Sequence, residues 1–418
     1  MKRLLLIVLS VVTGCLAYGC GTIVPEDGDD GDNERKAISL TTKQGEYVQA
    51  STRFAYRFLT RIDENELKNG RTEWFVSPLS LQFALGMLLN AAQGETADEI
   101  CRALGYGAGE TAEINTWSKL MLDQLPALDK KTDLSIADAI FVKKDVTLKA
   151  PYVKTVGDYY GAAIENLDFS KTHASAKHIN EWCSKQTKGM VPKVLDETNP
   201  NALAYLINAL YFKSEWKEKF PKGSTASETF TDEAGKTGKV KMMKLDGKHF
   251  IYGENETFQF VHLPYGNGAF LMTVLLPQKG VTVHDVTVQL EKGYQTAFQL
   301  GYSAEVDLWL PKFETKYHIQ LNDILSAMGM PRSFRPGADF TAMSDKADYV
   351  DFVTQDAIVK VDEEGTEAAA VTVIGMMEAT ALPRQPEKAV FHADHPFLYL
   401  ITEASTGAVL FAGKYAGK

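Results

Sequence analysis

The chain has 418 residues, 45% of them apolar and 23% charged, with 54 acidic side chains against 44 basic ones and a formal charge of −10. That much apolar content on this length supports a large core and excludes a disordered chain. The acidic balance argues against nucleic acid as a partner, since phosphate binding needs a basic footprint, and four cysteines are too few for a disulfide scaffold.

At the front, Met1-Lys2-Arg3 and the apolar run Leu4 to Val12 read as a secretory signal covering residues 1–19, too short to span a bilayer as a stable helix. Val12-Thr13-Gly14-Cys15 and Ala17-Tyr18-Gly19-Cys20 both resemble bacterial lipobox sites, where cleavage precedes a cysteine that carries lipid. Cys15 fits the consensus better. Cys20 gives a more usual signal length and is taken as the lipidation site, with Cys15 as the alternative. The run Glu26 to Glu34, acidic with interspersed glycines, repels itself and stays extended. It reads as a tether over residues 20–36, leading to a domain over 37–418. The run also resembles the surface-export signal of some Gram-negative lipoproteins. The expected location is therefore the bacterial outer membrane, on its periplasmic or cell-surface, extracellular side. Cys101 and Cys183, the cysteines left in the body, lie in helical patterns and are expected to be buried free thiols.

In the body, Ser77-Pro78 predicts a helix start, with Leu81, Leu85, Leu88 and Leu89 on its inner face. Thr96 with Glu99 reads as a capping box for a short helix ending at Leu104-Gly105, and a further helix is predicted over Ala174 to Gln186. From Ala202 onward strands dominate: Ala202 to Lys213, Phe250 to Pro264, Phe270 to Leu276, Glu305 to Phe313, Tyr349 to Asp362, Phe397 to Thr402 and Ala408 to Lys414. There is no repeat and no interior linker. Helices first and strands later argue one large α+β domain.

Catalytic motifs are missing. The chain has no Gly-x-Ser-x-Gly, no His-Glu-x-x-His and no Cys-x-x-Cys. His392 and His395 beside Pro396 read as loop polarity, not as metal ligands. No metal, no cofactor and no enzymatic activity are expected.

One segment stands apart. Glu363-Glu364-Gly365-Thr366-Glu367 leads into the uncharged run Ala368 to Met377 and then into a proline-spaced polar stretch from Ala379 to Lys388. As a strand, Thr366, Ala368, Ala370, Thr372 and Ile374 would share one neutral face, with Glu367 on the other. Pattern alone leaves two readings: a plain buried strand followed by a loop, or a loop able to become a buried strand.

From about Gln44 to Lys414 the sequence resembles the serpin family. Glu363 to Ala370 (Glu363, Glu364, Gly365, Thr366, Glu367, Ala368, Ala369, Ala370) looks like an inhibitory hinge. Phe75-Val76-Ser77-Pro78-Leu79-Ser80 looks like the opening of the second helix, and Leu206 to Lys213 with Trp216 like the central strand and its tryptophan. Leu263-Pro264-Tyr265, Leu310-Pro311-Lys312-Phe313, Gly337-Ala338-Asp339-Phe340 and Leu410 to Lys414 follow in family order. The resemblance implies one domain with three β-sheets, about nine helices and an exposed reactive loop over about 363–388. It implies a monomeric suicide-substrate inhibitor of serine proteases, with cysteine proteases as a further target class, whose loop is cleaved and then inserts into a sheet. Fourteen residues past Gly365 the scissile bond falls between Ala379 and Thr380, with Met377, Glu378 and Arg384 as alternatives. Ala379 implies elastase-like or subtilisin-like targets. A breach and shutter are implied at Trp216, Lys312, Asn208, Ser77, Ser80 and Gln355. Gln355 stands where many members carry histidine, and an Asn208–Gln355 hydrogen bond is expected to hold the sheet closed. Asn115 to Lys131 lacks a basic helix, so no heparin-type cofactor is expected. The rival reading is a serpin-fold binding protein or adhesin that never inserts.

Overall fold

The computed structural model describes residues 33–293, 297–346, 349–350, 353–366 and 388–417. In chain order the helices are α1 (Thr42–Lys68), α2 (Pro78–Ala91), α3 (Gly94–Leu104), α4 (Thr111–Gln124), α5 (Ala150–Tyr160), α6 (Thr172–Gln186), α7 (Val283–Gly293) and α8 (Asn322–Ala327). The strands are β1 (Trp74–Val76), β2 (Asp133–Lys143), β3 (Ala163–Leu167), β4 (Ala204–Glu215), β5 (Ala226–Thr231), β6 (Thr237–Glu254), β7 (Phe258–Tyr265) and β8 (Phe270–Pro277). They continue with β9 (Tyr302–Pro311), β10 (Phe313–Gln320), β11 (Thr354–Val361), β12 (Gly365–Thr366), β13 (Lys388–His392), β14 (Phe397–Glu403) and β15 (Val409–Tyr415).

The strands form three sheets. Nine strands run β1-β15-β14-β8-β7-β6-β9-β13 with β5 on β6, four run β12-β4-β2-β3, and β10 pairs with β11. β8 and β14 are interior strands of this sheet and read as nearly continuous apolar runs, because residues on both of their faces are buried. β10 shows the opposite pattern: Phe313, Thr315, Tyr317 and Ile319 point inward while Glu314, Lys316, His318 and Gln320 face solvent. One core spans α1, α2 and the nine-stranded sheet, and a smaller cluster of Phe141, Phe169, Ile179, Cys183 and Tyr205 lies under α6. Cys101 and Cys183 are free and buried, and burial pushes their thiols up to about 11 and about 12. Among the described residues no helix is long and apolar enough to cross a membrane.

Several elements differ from the sequence reading. The predicted strand Phe250 to Pro264 is two strands, because Asn255 accepts hydrogen bonds from the amides of Thr257 and Phe258 and turns the chain. β2 and β3 lie in the helical first half, and β10 follows β9 after the break at Lys312. Thr96 does not cap α3, which starts at Gly94. Its hydroxyl instead accepts from the Asp339 amide, and Glu99 accepts from the Arg332 amide. α2 begins as predicted, with Ser77 as N-cap and Pro78 in the first turn. Asn33, assigned by its charged surroundings to the tether, is hydrogen-bonded to the domain at Asp129 and Lys130.

Candidate functional site

β11 ends at Val361 and the chain reverses over Glu363 and Glu364, closing with hydrogen bonds between Asp362 and Gly365 in both directions. Gly365 and Thr366 then pair antiparallel with Glu215 and Ser214 at the top of β4. Only glycine fits the pivot. Gly365 has φ +148°, and a Cβ there would lie 2.5 Å from the Ser214 carbonyl oxygen and 2.6 Å from Glu215 Cα. The turn is also held from β4's extension, where the Trp216 and Phe220 amides donate to Glu364 and Glu363 and Trp216 Nε1 donates to the Asp362 carbonyl at 2.8 Å. Trp216 stacks on Tyr265 with centroids 4.6 Å apart, and the Tyr265 hydroxyl meets Thr366 Oγ1 at 2.9 Å.

The two carboxylates of the turn are shared out. Glu363 sits 2.7 Å from Lys312 Nζ and accepts from Thr225 Oγ1 at 2.8 Å. Glu364 is clamped between Lys222 at 2.6 Å and Lys219 at 2.9 Å. Burial alone would raise the Glu363 carboxyl, but Lys312 and Thr225 outweigh it and hold it below the usual range. Lys222 and Lys219 hold Glu364 at about 2. Both shifts are depressions, so what these pairs contribute is present above the unfolded carboxylate pKa and is lost as pH falls through the folded values.

Below the turn β4 and β11 belong to different sheets, with no ladder between them among the described residues. A cleft separates them, walled by Leu210, Tyr211 and Phe212 on one side and Ile358, Val359 and Lys360 on the other. Phe75, Ile401 and Phe411 line its apolar floor, and Thr366 stands at one end. The expected Asn208–Gln355 hydrogen bond is not made. Gln355 instead brackets the Ser77 backbone, with Oε1 accepting from its amide at 2.8 Å and Nε2 donating to its carbonyl at 2.9 Å. Asn208 meets Ser80 Oγ and donates to Asp138 Oδ1 at 2.8 Å. The two amides point at successive turns of α2 rather than at each other, because the cleft keeps their strands apart.

Asp138 was not foreseen, though one acid within the mostly apolar stretch Ser135–Val142 was a readable signal. It is 3% exposed, and burial pushes it up to about 7 against the pull of the Asn208 amide. Thr225, Lys219 and Lys222 were likewise missed, because their contacts with the turn are long-range in sequence. His392 stacks on Trp309 at 4.0 Å and lies 3.1 Å from Asp307, while His395 bonds Asp394 and the Pro277 carbonyl. No group of potential metal ligands gathers among the described residues. Glu367 to Ala370, Met377, Glu378, Ala379, Thr380, Arg384, Cys15 and Cys20 lie outside the described residues.

Two outcomes follow from this geometry. Asp138 binds a proton in the folded chain that the unfolded chain lacks between about pH 4 and pH 7, so stability falls as pH rises through that window, by at most about 1.4 kcal/mol per pH unit. Asp138→Asn keeps an acceptor for Asn208 and removes the titration. Its urea midpoint is expected above wild type near neutral pH and level across the window, and equal slopes for the two proteins would exclude Asp138 as the titrating group. At the turn, Glu363→Lys sets two like charges together and is expected to speed spontaneous conversion or polymerisation on warming, seen on native gels. Adding Lys312→Glu should restore it in part, with a coupling of about 0.2–1 kcal/mol for so exposed a lysine. Zero coupling would show that the pair does not hold the turn.

Comparison with known proteins agrees with this architecture. The profile of the family described as serpin (serine protease inhibitor) matches residues 49–417. Neuroserpin of Gallus gallus is 30% identical over 364 residues, covering 84% of this chain and 88% of that protein. The crystal structure of tengpin, a thermophilic serpin in the native state, superposes with TM-score 0.79 at 27% identity, covering 92% of this chain and 97% of tengpin. Thyroxine-binding globulin in complex with thyroxine superposes with TM-score 0.78 at 26% identity, over 88% of this chain and 98% of that one. With that profile running from the middle of α1 to the end of β15, the chain belongs to the serpin family of protease inhibitors.

Proposed function

We propose that this serpin inhibits serine proteases, and cysteine proteases as a further class, by offering its loop as a substrate and then inserting the cleaved loop between β4 and β11. One observation carries the reading: Gly365 and Thr366 already pair with β4 at the end of an apolar-floored cleft between two strands that do not pair with each other. β12 is antiparallel to β4, and its turn makes it antiparallel to β11 as well. A strand continuing from Thr366 would meet both edges in the antiparallel sense, satisfying two rows of backbone groups at once. The neutral face Thr366, Ala368, Ala370, Thr372 and Ile374 suits the apolar floor.

In the proposed reaction the protease's nucleophile attacks the Ala379 carbonyl, an acyl bond forms to Ala379, and the Thr380 amine leaves. A small residue at this position favours elastase-like or subtilisin-like enzymes. Met377, Glu378 and Arg384 remain the alternative sites. Incubation with elastase-like, subtilisin-like, chymotrypsin-like and trypsin-like proteases is expected to give a detergent-stable complex with one of the first two, and a released peptide beginning at Thr380. A peptide beginning at Glu378, Ala379 or Gln385 would move the site to Met377, Glu378 or Arg384. Cleavage by every protease with no stable complex would favour the rival, a serpin-fold binding protein or adhesin, for which thyroxine-binding globulin is a structural parallel.

Thr366 is 7% exposed with its hydroxyl on Tyr265, so Thr366→Arg sets a charge where burial costs several kcal/mol unless paired. The variant should be cleaved as a substrate without trapping its protease, and Ala368→Arg should behave alike. Inhibition equal to wild type would sink the insertion step.

The signal, the lipobox cysteines and the acidic run support a monomeric lipoprotein held at a bacterial outer membrane through Cys20, or through Cys15. Replacing both cysteines by serine should move the protein out of the membrane fraction or leave its signal uncleaved. Wild-type protein with no lipid on either cysteine by mass spectrometry would remove the anchor.

A further inference from the structure

The N-terminal segment meets the fold at the same end of the sheet as the turn at Gly365. Asn33 Nδ2 donates to Asp129 Oδ1 at 2.8 Å, and Asn33 Oδ1 accepts from the Lys130 amide at 2.9 Å. Asp129 is 1% exposed, so this carboxylate depends on protein donors. Its other oxygen accepts from Thr132 Oγ1 at 2.7 Å, and Thr132 Oγ1 lies 2.6 Å from Ser214 Oγ. Since the Thr132 proton goes to the carboxylate, the Ser214 hydroxyl must be the donor to Thr132. Ser214 is wholly buried, and its backbone partner across the ladder is Thr366. A chain of three hydrogen bonds, every proton directed toward one buried carboxylate, therefore joins Asn33 to the residue on which the turn is paired. Asp129 also abuts the β7–β8 turn: a Cβ on Gly266 would lie 1.9 Å from Oδ2, and the Gly266 amide donates to the Glu215 carbonyl at 2.8 Å. Both routes from Asp129 end on Ser214–Glu215, the two residues opposite β12.

We propose that the segment beginning at Asn33 is a clasp on the loop-receiving end of the sheet, with Asp129 as the positioning residue that couples it to the Ser214–Thr366 pair. Releasing Asn33 removes one of the donors that fix the Asp129 carboxylate. Oδ1 is then left on the Lys131 amide, at 2.9 Å, while Oδ2 keeps Thr132 and the Asn267 amide at 3.3 Å; the carboxylate resettles on these donors, and through Thr132 and Ser214 pairing of Thr366 with β4 weakens. The Asn33 carbonyl also accepts from Asn267 Nδ2 at 3.4 Å, and the Ile38 amide donates to Ser405 Oγ, a separate hold between Asn33 and α1. What this would do to protease trapping rests on the function proposed above; the coupling itself does not.

Hydrogen exchange on the uncleaved full-length chain tests it, with Asn33→Ala removing the side-chain contacts and Asn33→Asp setting a second carboxylate against Asp129. Both variants should speed exchange in peptides covering Ser214–Trp216 and Asp362–Thr366, by about fivefold for the loss of one such bond and more for the aspartate. Peptides from β14 should exchange as in wild type. The clasp is overturned if the Lys130 amide speeds up while the β4 and β12 peptides do not, or if exchange rises equally everywhere. Because exchange is read without any protease, a chain that traps nothing can still show the coupling. A chain that traps normally with unchanged exchange loses only the clasp.

Discussion

β4 and β11 run in the same direction and present edges toward each other, yet no ladder joins them among the described residues. A sheet edge is a row of backbone donors and acceptors needing partners, and a sheet split along its length has two such rows facing inward. The rest of the architecture answers to this split. β3, β2 and β4 form one half, β10 and β11 the other, and short contacts at the top and middle hold the halves in register. β12 is the one described piece of backbone lying between them, and it covers two residues.

The middle contact is the N-terminus of α2. Ser77 gives its backbone amide and carbonyl to Gln355 of β11, its hydroxyl donates to the Leu410 carbonyl of β15 at 2.6 Å, and Ser80 one turn on meets Asn208 of β4. One helix cap thereby touches all three sheets. A helix N-terminus suits this role because its first amides have no partners within the helix. Four of the five side chains, Ser77, Ser80, Asn208 and Gln355, are neutral. Asp138, which reaches the site through Asn208, is the member whose charge responds to pH. Glutamine in place of an imidazole does not make this junction indifferent to pH. The titrating group is the Asp138 carboxylate, raised by its own burial, for which acid relieves a buried charge instead of creating one.

The sequence made some of this legible and not the rest, for physical reasons. Gly365 was placed in a hinge by the family resemblance, but the close approach of the Ser214 carbonyl that excludes any other residue depends on strand register. Ser77-Pro78 marked a helix start because capping is local. Thr96 and Glu99 carried an equally good local signal, and it misled: both side chains bond the segment Arg332–Asp339, more than 230 residues away. The Lys312–Glu363 pairing could be anticipated only through resemblance, and Lys219 and Lys222 on Glu364 were not anticipated at all. Gln355 and Asn208 were expected to bond each other, and each instead meets a serine at the start of α2. Their partners were misassigned because alignment ranks residues by position and says nothing about the width of a cleft.

Top and middle contacts are made of different physics, and they differ in how they respond to salt and acid. At the top, Lys312, Lys219 and Lys222 face solvent over part of their length, so salt and acid both weaken their grip on Glu363 and Glu364. In the middle, Gln355 and Asn208 hold α2 through short-range neutral hydrogen bonds that salt does not screen. A change of salt therefore bears on the turn, where Gly365 and Thr366 are the described residues paired with β4, more than on the middle. Trp216 bonds the Asp362 carbonyl and stacks on Tyr265, so an aromatic contact that carries no charge lies beneath the ion pairs of the turn. The aromatic pair is a hold of another kind: salt and acid act on the charges at the turn, and neither acts on the packing beneath it.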